Sequence, residues 1–235
     1  MLKPLVLLSL PIIVSQLMQV GYNLADTFWV GRLGQDAVTA LSLSLPFVFL
    51  MISLGSGLTV AGTVLVSQNT GAGKTDRVGH VAGQTITFVS LVSLGLAALG
   101  FFLAPILLPL IGTTPGTAVN RLAIEYTRTV FVGVIFMFGF FIFQALLRGY
   151  GDTVTPMNLM GASVFLNVVL DPFLVLGFQH NPVFEWLQAL PVGIDFLAMQ
   201  AHLYASTGFT GMGVQGAAIA TVFSRGVAAA IGMAM

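Results

Sequence analysis

Residues 154–177 read VTPMNLMGASVFLNVVLDPFLVLG, and Asp171 is the one charge among them. A helix crosses the roughly 30 Å hydrocarbon core of a bilayer with about 20 apolar residues. A run of this length is therefore a membrane span. A carboxylate inside a span costs roughly 2.5–3.5 kcal/mol, so it faces a partner or a water-filled cavity. Working outward, similar runs predict helices over residues 5–30, 37–66, 79–111, 120–147, 154–178 and 212–235. An apolar, aromatic segment over 178–211 separates the last two and reads as an extracellular stretch holding one or two short interfacial helices. Only helices and closed barrels satisfy the backbone in lipid, and the period-two alternation of a barrel is absent. The fold class is an all-α membrane protein, a bundle of six transmembrane helices over residues 1–235.

Composition agrees. The chain is 57% hydrophobic and 7% charged, against about 45–50% and about 25% for a soluble domain. Eight Lys+Arg balance eight Asp+Glu, which leaves no basic footprint for a nucleic-acid partner. With no Cys there is no disulfide, thiolate nucleophile or iron–sulfur ligand. The first apolar run is too long for a cleaved signal, whose core is about 7–15 residues. Lys3, Lys74, Arg77 and Arg148 fall on one side, against Arg32, Arg121 and Arg128 on the other. This bias favours a cytoplasmic N-terminus in a multi-pass cell-membrane protein.

Two acids stand inside the spans. Asp26 lies near the end of the first helix and Asp171 near the end of the fifth. Both helices run in the same direction, so the acids sit at one depth and can build one site. Gln19, Tyr22, Asn23 and Asp26 have i, i+3, i+4, i+7 spacing and form a polar stripe; Asn167 and Asp171 are i, i+4. Their hard oxygens suit Na⁺ or a shared proton rather than a soft metal. The bland alternative is an acid that snorkels to water, or Asp26 pairing with Arg32. Pro11, Pro46 and Pro172 each free a carbonyl inside a helix, as a static kink or a hinge.

Other features read as structural. Gly73-Lys74-Thr75 lacks the upstream glycine of a phosphate loop, since Gln68 stands there. Gly55-Ser56-Gly57, with Gly62, reads as a small-residue packing patch. His80, His180 and His202 are interfacial, and Asp36 and Asp152 are helix N-caps. Arg225, inside the last span, must snorkel or find an acid.

Five motifs in order carry a resemblance. They are Pro11 to Ala40; Ser67-Gln68 with Gly71-Ala72-Gly73; Leu147 to Thr153 with Pro156; Asn167 with Leu170-Asp171-Pro172; and Gly216 to Thr221. Together they resemble the amino-terminal lobe of the multidrug and toxic compound extrusion (MATE) family. The resemblance implies one half of a twelve-helix transporter, and no enzyme. It implies efflux of organic, often cationic, compounds or drugs by antiport against Na⁺ or H⁺, with no other cofactor. It assigns Asp26, Asp171, Asn167 and Thr221 to a cation site. It assigns Gln19, Tyr22, Asn23, Tyr126 and Gln144 to the substrate cavity and Pro11 to a hinge. It also implies a carboxy-terminal lobe as partner, covalent or separate.

Three alternatives stay open. A lipid-linked oligosaccharide flippase of the same superfamily would need basic groups inside the cavity, and among helices 1–5 only Arg128 reads as interior. A half-transporter fragment would only pack in the bilayer. An intramembrane hydrolase built on Ser56 or the acids would need a base that the spans lack.

Overall fold

Helix boundaries fall where a side chain caps the backbone or a glycine turns it. The computed structural model describes residues 2–179, 181–192 and 194–234, without the side chains of residues 2–7 and Thr75. The expectations placed on the Lys3 side chain, His180 and Met235 lie outside the described residues. Eight helices follow in order: α1 (Leu2–Gly31), α2 (Gln35–Gly71), α3 (Thr75–Leu110), α4 (Ala118–Tyr150), α5 (Val154–Leu176), α6 (Pro182–Gln188), α7 (Phe196–Thr207) and α8 (Val214–Ala234). Thr117 caps α4 by accepting from Asn120 N at 3.2 Å. Gly151, at φ 92°, ends α4 in a conformation that a residue with a Cβ rarely adopts. Asp152 Oδ1 accepts from Val154 N and Thr155 N at 3.0 Å and so caps α5. Asp36 does not cap α2: Gly34 holds that position, and Asp36 lies in the first turn, where the helix dipole still favours an acid.

Among the described residues five helices are long and apolar enough to cross a membrane: α2, α3 from Asp76, α4, α5 and α8. The thirty-residue α1 is the sixth long helix, and its residues 5–22 form an uncharged, largely apolar run.

Helix α4 is the axis of the bundle, packed against α2, α3 and α8, while α5 packs on α1 and α8. Val130, Phe131, Val134, Met137 and Phe138 of α4 meet Met51, Val89, Ala217 and Ala218 in the main core. Small residues set the approach: a Cβ on Gly133 would overlap Val222, and one on Gly55 would lie 2.8 Å from Phe138 and Phe141. The opposite surface is apolar, with Leu17, Phe102, Leu110 and Phe165 exposed, as suits lipid contact. Between α5 and α8 the chain leaves and returns at one point. Phe178 N donates to Phe209 O (3.0 Å) and Met212 N to Leu174 O (2.7 Å).

Candidate functional site: paired aspartates in a helical lobe

Asp26 lies five residues before the end of α1, and Asp171 five before the end of α5. At about 1.5 Å per residue both are roughly 7–8 Å below those ends. The α1–α5 packing then brings the two carboxyl groups within hydrogen-bonding reach of each other. Both are buried, Asp171 completely. Thr221 Oγ1, on α8, donates to Asp26 Oδ2 at 3.0 Å. Asn167 Nδ2 donates to Asp171 Oδ1 at 3.1 Å. Thus four residues from three helices meet at one place.

Hydrogen-bond accounting shows what this cluster lacks. Asp26 Oδ1, Asp171 Oδ2 and Asn167 Oδ1 are buried and have no donor among the described residues. Buried acceptors are normally satisfied, and an unmet one costs about 1–3 kcal/mol. Two facing carboxylates supply acceptors only, so a proton or a hard cation between them would complete the set. The donor set of carboxylate, amide and hydroxyl oxygens fits Na⁺ in chemistry.

The polar stripe of α1 divides in two. Tyr22 turns inward, donating to Thr221 O (3.2 Å) and sharing a hydrogen bond with Ser224 Oγ (2.8 Å). Gln19 and Asn23 sit at the edge, with Gln19 Nε2 donating to Asn23 Oδ1 at 3.3 Å. Tyr22, Asn23, Asp26, Tyr126 and Thr221 line a cavity of ≈ 210 Å³. Gln144 lines a different one of ≈ 190 Å³ with Gln16, Gln19 and Ser56, and accepts from Arg148 Nη2 at 2.6 Å. Pro11 lies fifteen residues from Asp26 along α1, roughly 22 Å away. Its carbonyl accepts from Ser15 Oγ at 2.8 Å.

Three basic residues depart from expectation. Arg128 is not interior: it donates Nε–H to Phe101 O at 3.0 Å and lies over the Phe101 ring, against α3. Arg148 lines the second cavity. Arg225 neither snorkels nor finds an acid. It is 2% exposed and donates Nη2–H to Gln19 Oε1 at 3.0 Å. Arg148, on α4, corrects the reading that among the first five helices only Arg128 is interior, and Arg225 adds a buried basic group on the last helix. Ser224 and Arg225 follow Thr221 at i+3 and i+4 on α8, so the spacing rule applied to α1 could have found them.

The 178–211 segment forms α6 and α7 and is fastened to the same end of the lobe. Asn181 Nδ2 donates to Pro172 O and Gly177 O at 2.9 Å each. Trp186 packs on Trp29 with centroids 5.7 Å apart, and Arg32 lies over Trp186 rather than pairing with Asp26.

The MatE family model matches residues 11–173. YpnP of Bacillus subtilis (strain 168), a probable multidrug resistance protein, is 30% identical over 233 residues, 99% of this chain and 45% of its own length. The FAD transporter of Shewanella oneidensis is 25% identical over 213 residues, 86% of this chain and 47% of its own. A MOP superfamily transporter from Pyrococcus furiosus, with a binding pocket of reverse polarity, superposes with a TM-score of 0.78 at 26% identity. That superposition covers 98% of this chain and 43% of that one. The chain spans about half the length of the relatives it matches.

Proposed function

The chain belongs to the MatE family, and on that premise we propose that it forms one lobe of a cation-coupled multidrug exporter in the cell membrane. The partner in this reading is a second lobe of similar size, covalent or separate, because alternating access needs two repeats. The N-terminus is cytoplasmic. Organic compounds or drugs, often cationic, leave by exchange for Na⁺ or H⁺, with no other cofactor.

The observation that carries the reading is the convergence of three donorless buried oxygens, on Asp26, Asn167 and Asp171. Asp26 and Asp171 hold the coupling cation between them. Asn167 and Thr221 orient one carboxylate each, by the hydrogen bonds already described. Tyr22 and Tyr126 form the cavity wall beside Asp26, and Asn23 its polar edge, held by the hydrogen bond from Gln19. Gln144, in the adjoining cavity, belongs to the same path through Gln19, which lines it too. An incoming substrate and the coupling cation compete for the same negative field, and that competition makes the transport an exchange. Pro11 supplies a bend in α1, the helix carrying Asp26, so that occupancy of the acid changes the shape of the cavity.

Efflux by the protein in its native membrane assembly, measured separately under imposed Na⁺ and pH gradients, tests this. Asp171→Asn is expected to abolish the dependence on whichever gradient drives wild-type efflux. Retained efflux with retained ion dependence would overturn the assignment.

A further inference from the structure

Arg225 stands eleven residues after the start of α8, where a cation is expensive unless it is matched. The residue is 2% exposed. It is held between two rings, with Tyr22 at 5.0 Å and Phe141 at 5.8 Å from Cζ to centroid. Gln19 accepts one hydrogen bond from Nη2. Nε and Nη1 have no acceptor among the described residues, although both are buried. The Asp26 carboxyl lines the same cavity and accepts from Thr221, but among the described residues no hydrogen bond or ion pair joins it to Arg225. Acid and cation thus share one chamber without pairing. The cavity of ≈ 210 Å³ carries Asp26 and Thr221 on part of its wall, Arg225 on another part, and Tyr22, Phe49 and Tyr126 around them.

We infer that Arg225 is a subsite for the carboxylate or phosphate group of an aromatic organic substrate. The inference rests on the efflux reading above for the word substrate, but the subsite itself rests on the geometry of α1, α4 and α8. A guanidinium is always charged and presents N–H groups in a rigid planar fork that matches oxyanions. Stacking between Tyr22 and Phe141 fixes that fork before a ligand arrives, so little freedom is lost on binding. Burial removes the competing water that weakens the same pair at a surface. Gln19 acts as a positioning residue, holding one corner of the guanidinium so that Nε and Nη1 stay free. The rings of Tyr22, Phe49 and Tyr126 suit an aromatic body attached to the anionic group. A substrate carrying a cationic group as well would reach Asp26 from the same seat.

The test uses a matched pair of dyes that differ only at one carboxyl: rhodamine 110, which carries it free, and its methyl ester, rhodamine 123. Their binding to the protein, purified in its native membrane assembly in mild detergent, is read by fluorescence anisotropy. Wild type is expected to bind the free acid about tenfold to a hundredfold more tightly than the ester, as for a charge-assisted hydrogen-bonded pair. Arg225→Gln should erase that preference, and Arg225→Lys should keep part of it. Equal affinity of wild type for acid and ester overturns the inference without any variant. So does an equal loss of both in Arg225→Gln. Added phosphatidylglycerol that abolishes the wild-type preference would assign Arg225 to a lipid headgroup and overturn the substrate reading. Binding here needs no gradient, so failure of the coupled-efflux reading in the Asp171→Asn experiment is separate from failure of this one.

Discussion

Thr221 shows how much one hydroxyl can do inside lipid. Its Oγ1 donates to Asp26 Oδ2, while its carbonyl lies within hydrogen-bonding reach of the Tyr22 and Ser224 hydroxyls, which also bond each other. Thr221→Val keeps the shape and removes the donor, leaving a second Asp26 oxygen unmet. The expected cost is about 1–3 kcal/mol, seen as a lower thermal unfolding midpoint, with Thr221→Ser close to wild type. Asp152, outside the spans, works by the same accounting. Hydrogen bonds from the Thr155 side chain and backbone hold its carboxyl below the usual carboxylate range. A depressed value means that the cap contributes in full above the unfolded value, about 3.9, and is lost as pH falls through the folded one. Asp152→Ala should cost about 1 kcal/mol at neutral pH. Unfolding midpoints of variant and wild type should converge as the pH is taken well below that range.

Elements meet here through small residues. Gly133 on α4 faces Val222 on α8 with no room for a methyl, whereas nothing lies within 4 Å of a Cβ placed on Gly57. Gly133→Val should separate the α4–α8 contact and cost about 1–3 kcal/mol. Gly57→Ala should stay within about 0.5 kcal/mol of wild type. Thermal unfolding of the two variants side by side checks the contrast. The expected packing patch is thus split: Gly55 and Gly62 are contact points, against Phe138 and Thr85, and Gly57 is not. The α1 polar stripe was legible from spacing alone. Its division was not, because which flank of a stripe turns inward depends on where α8 lies.

At the scale of the whole molecule, α6 and α7 form an appendage tied to the ends of α1 and α5. Its two ends are joined by backbone hydrogen bonds, and Gly177 and Gly211 touch there. A short linker in place of residues 180–207 should therefore leave the bundle assembled. It should loosen α1 against α5, since Trp186 no longer packs on Trp29 and Asn181 no longer holds the Pro172 carbonyl. Spin labels at Arg32 and Phe178 would report this as a broadened distance distribution. An unchanged distribution would mean that the α1–α5 packing alone holds the acids together.

The chain's own apolar runs determined that it forms membrane-length helices, because only helices and closed barrels satisfy the backbone in lipid and the alternation of a barrel is absent. Helical spacing likewise determined that Asn167 and Asp171 share a face, and the loop motifs pointed to the family. Whether Asp26 meets Asp171, which oxygens stay without donors, and that Arg225 stacks between Tyr22 and Phe141 were decided only by tertiary packing. The physical reason is range. Periodicity speaks for one helix at a time, whereas these contacts join residues on helices far apart in the chain. Their geometry depends on the crossing of α1, α5 and α8, which no single stretch encodes.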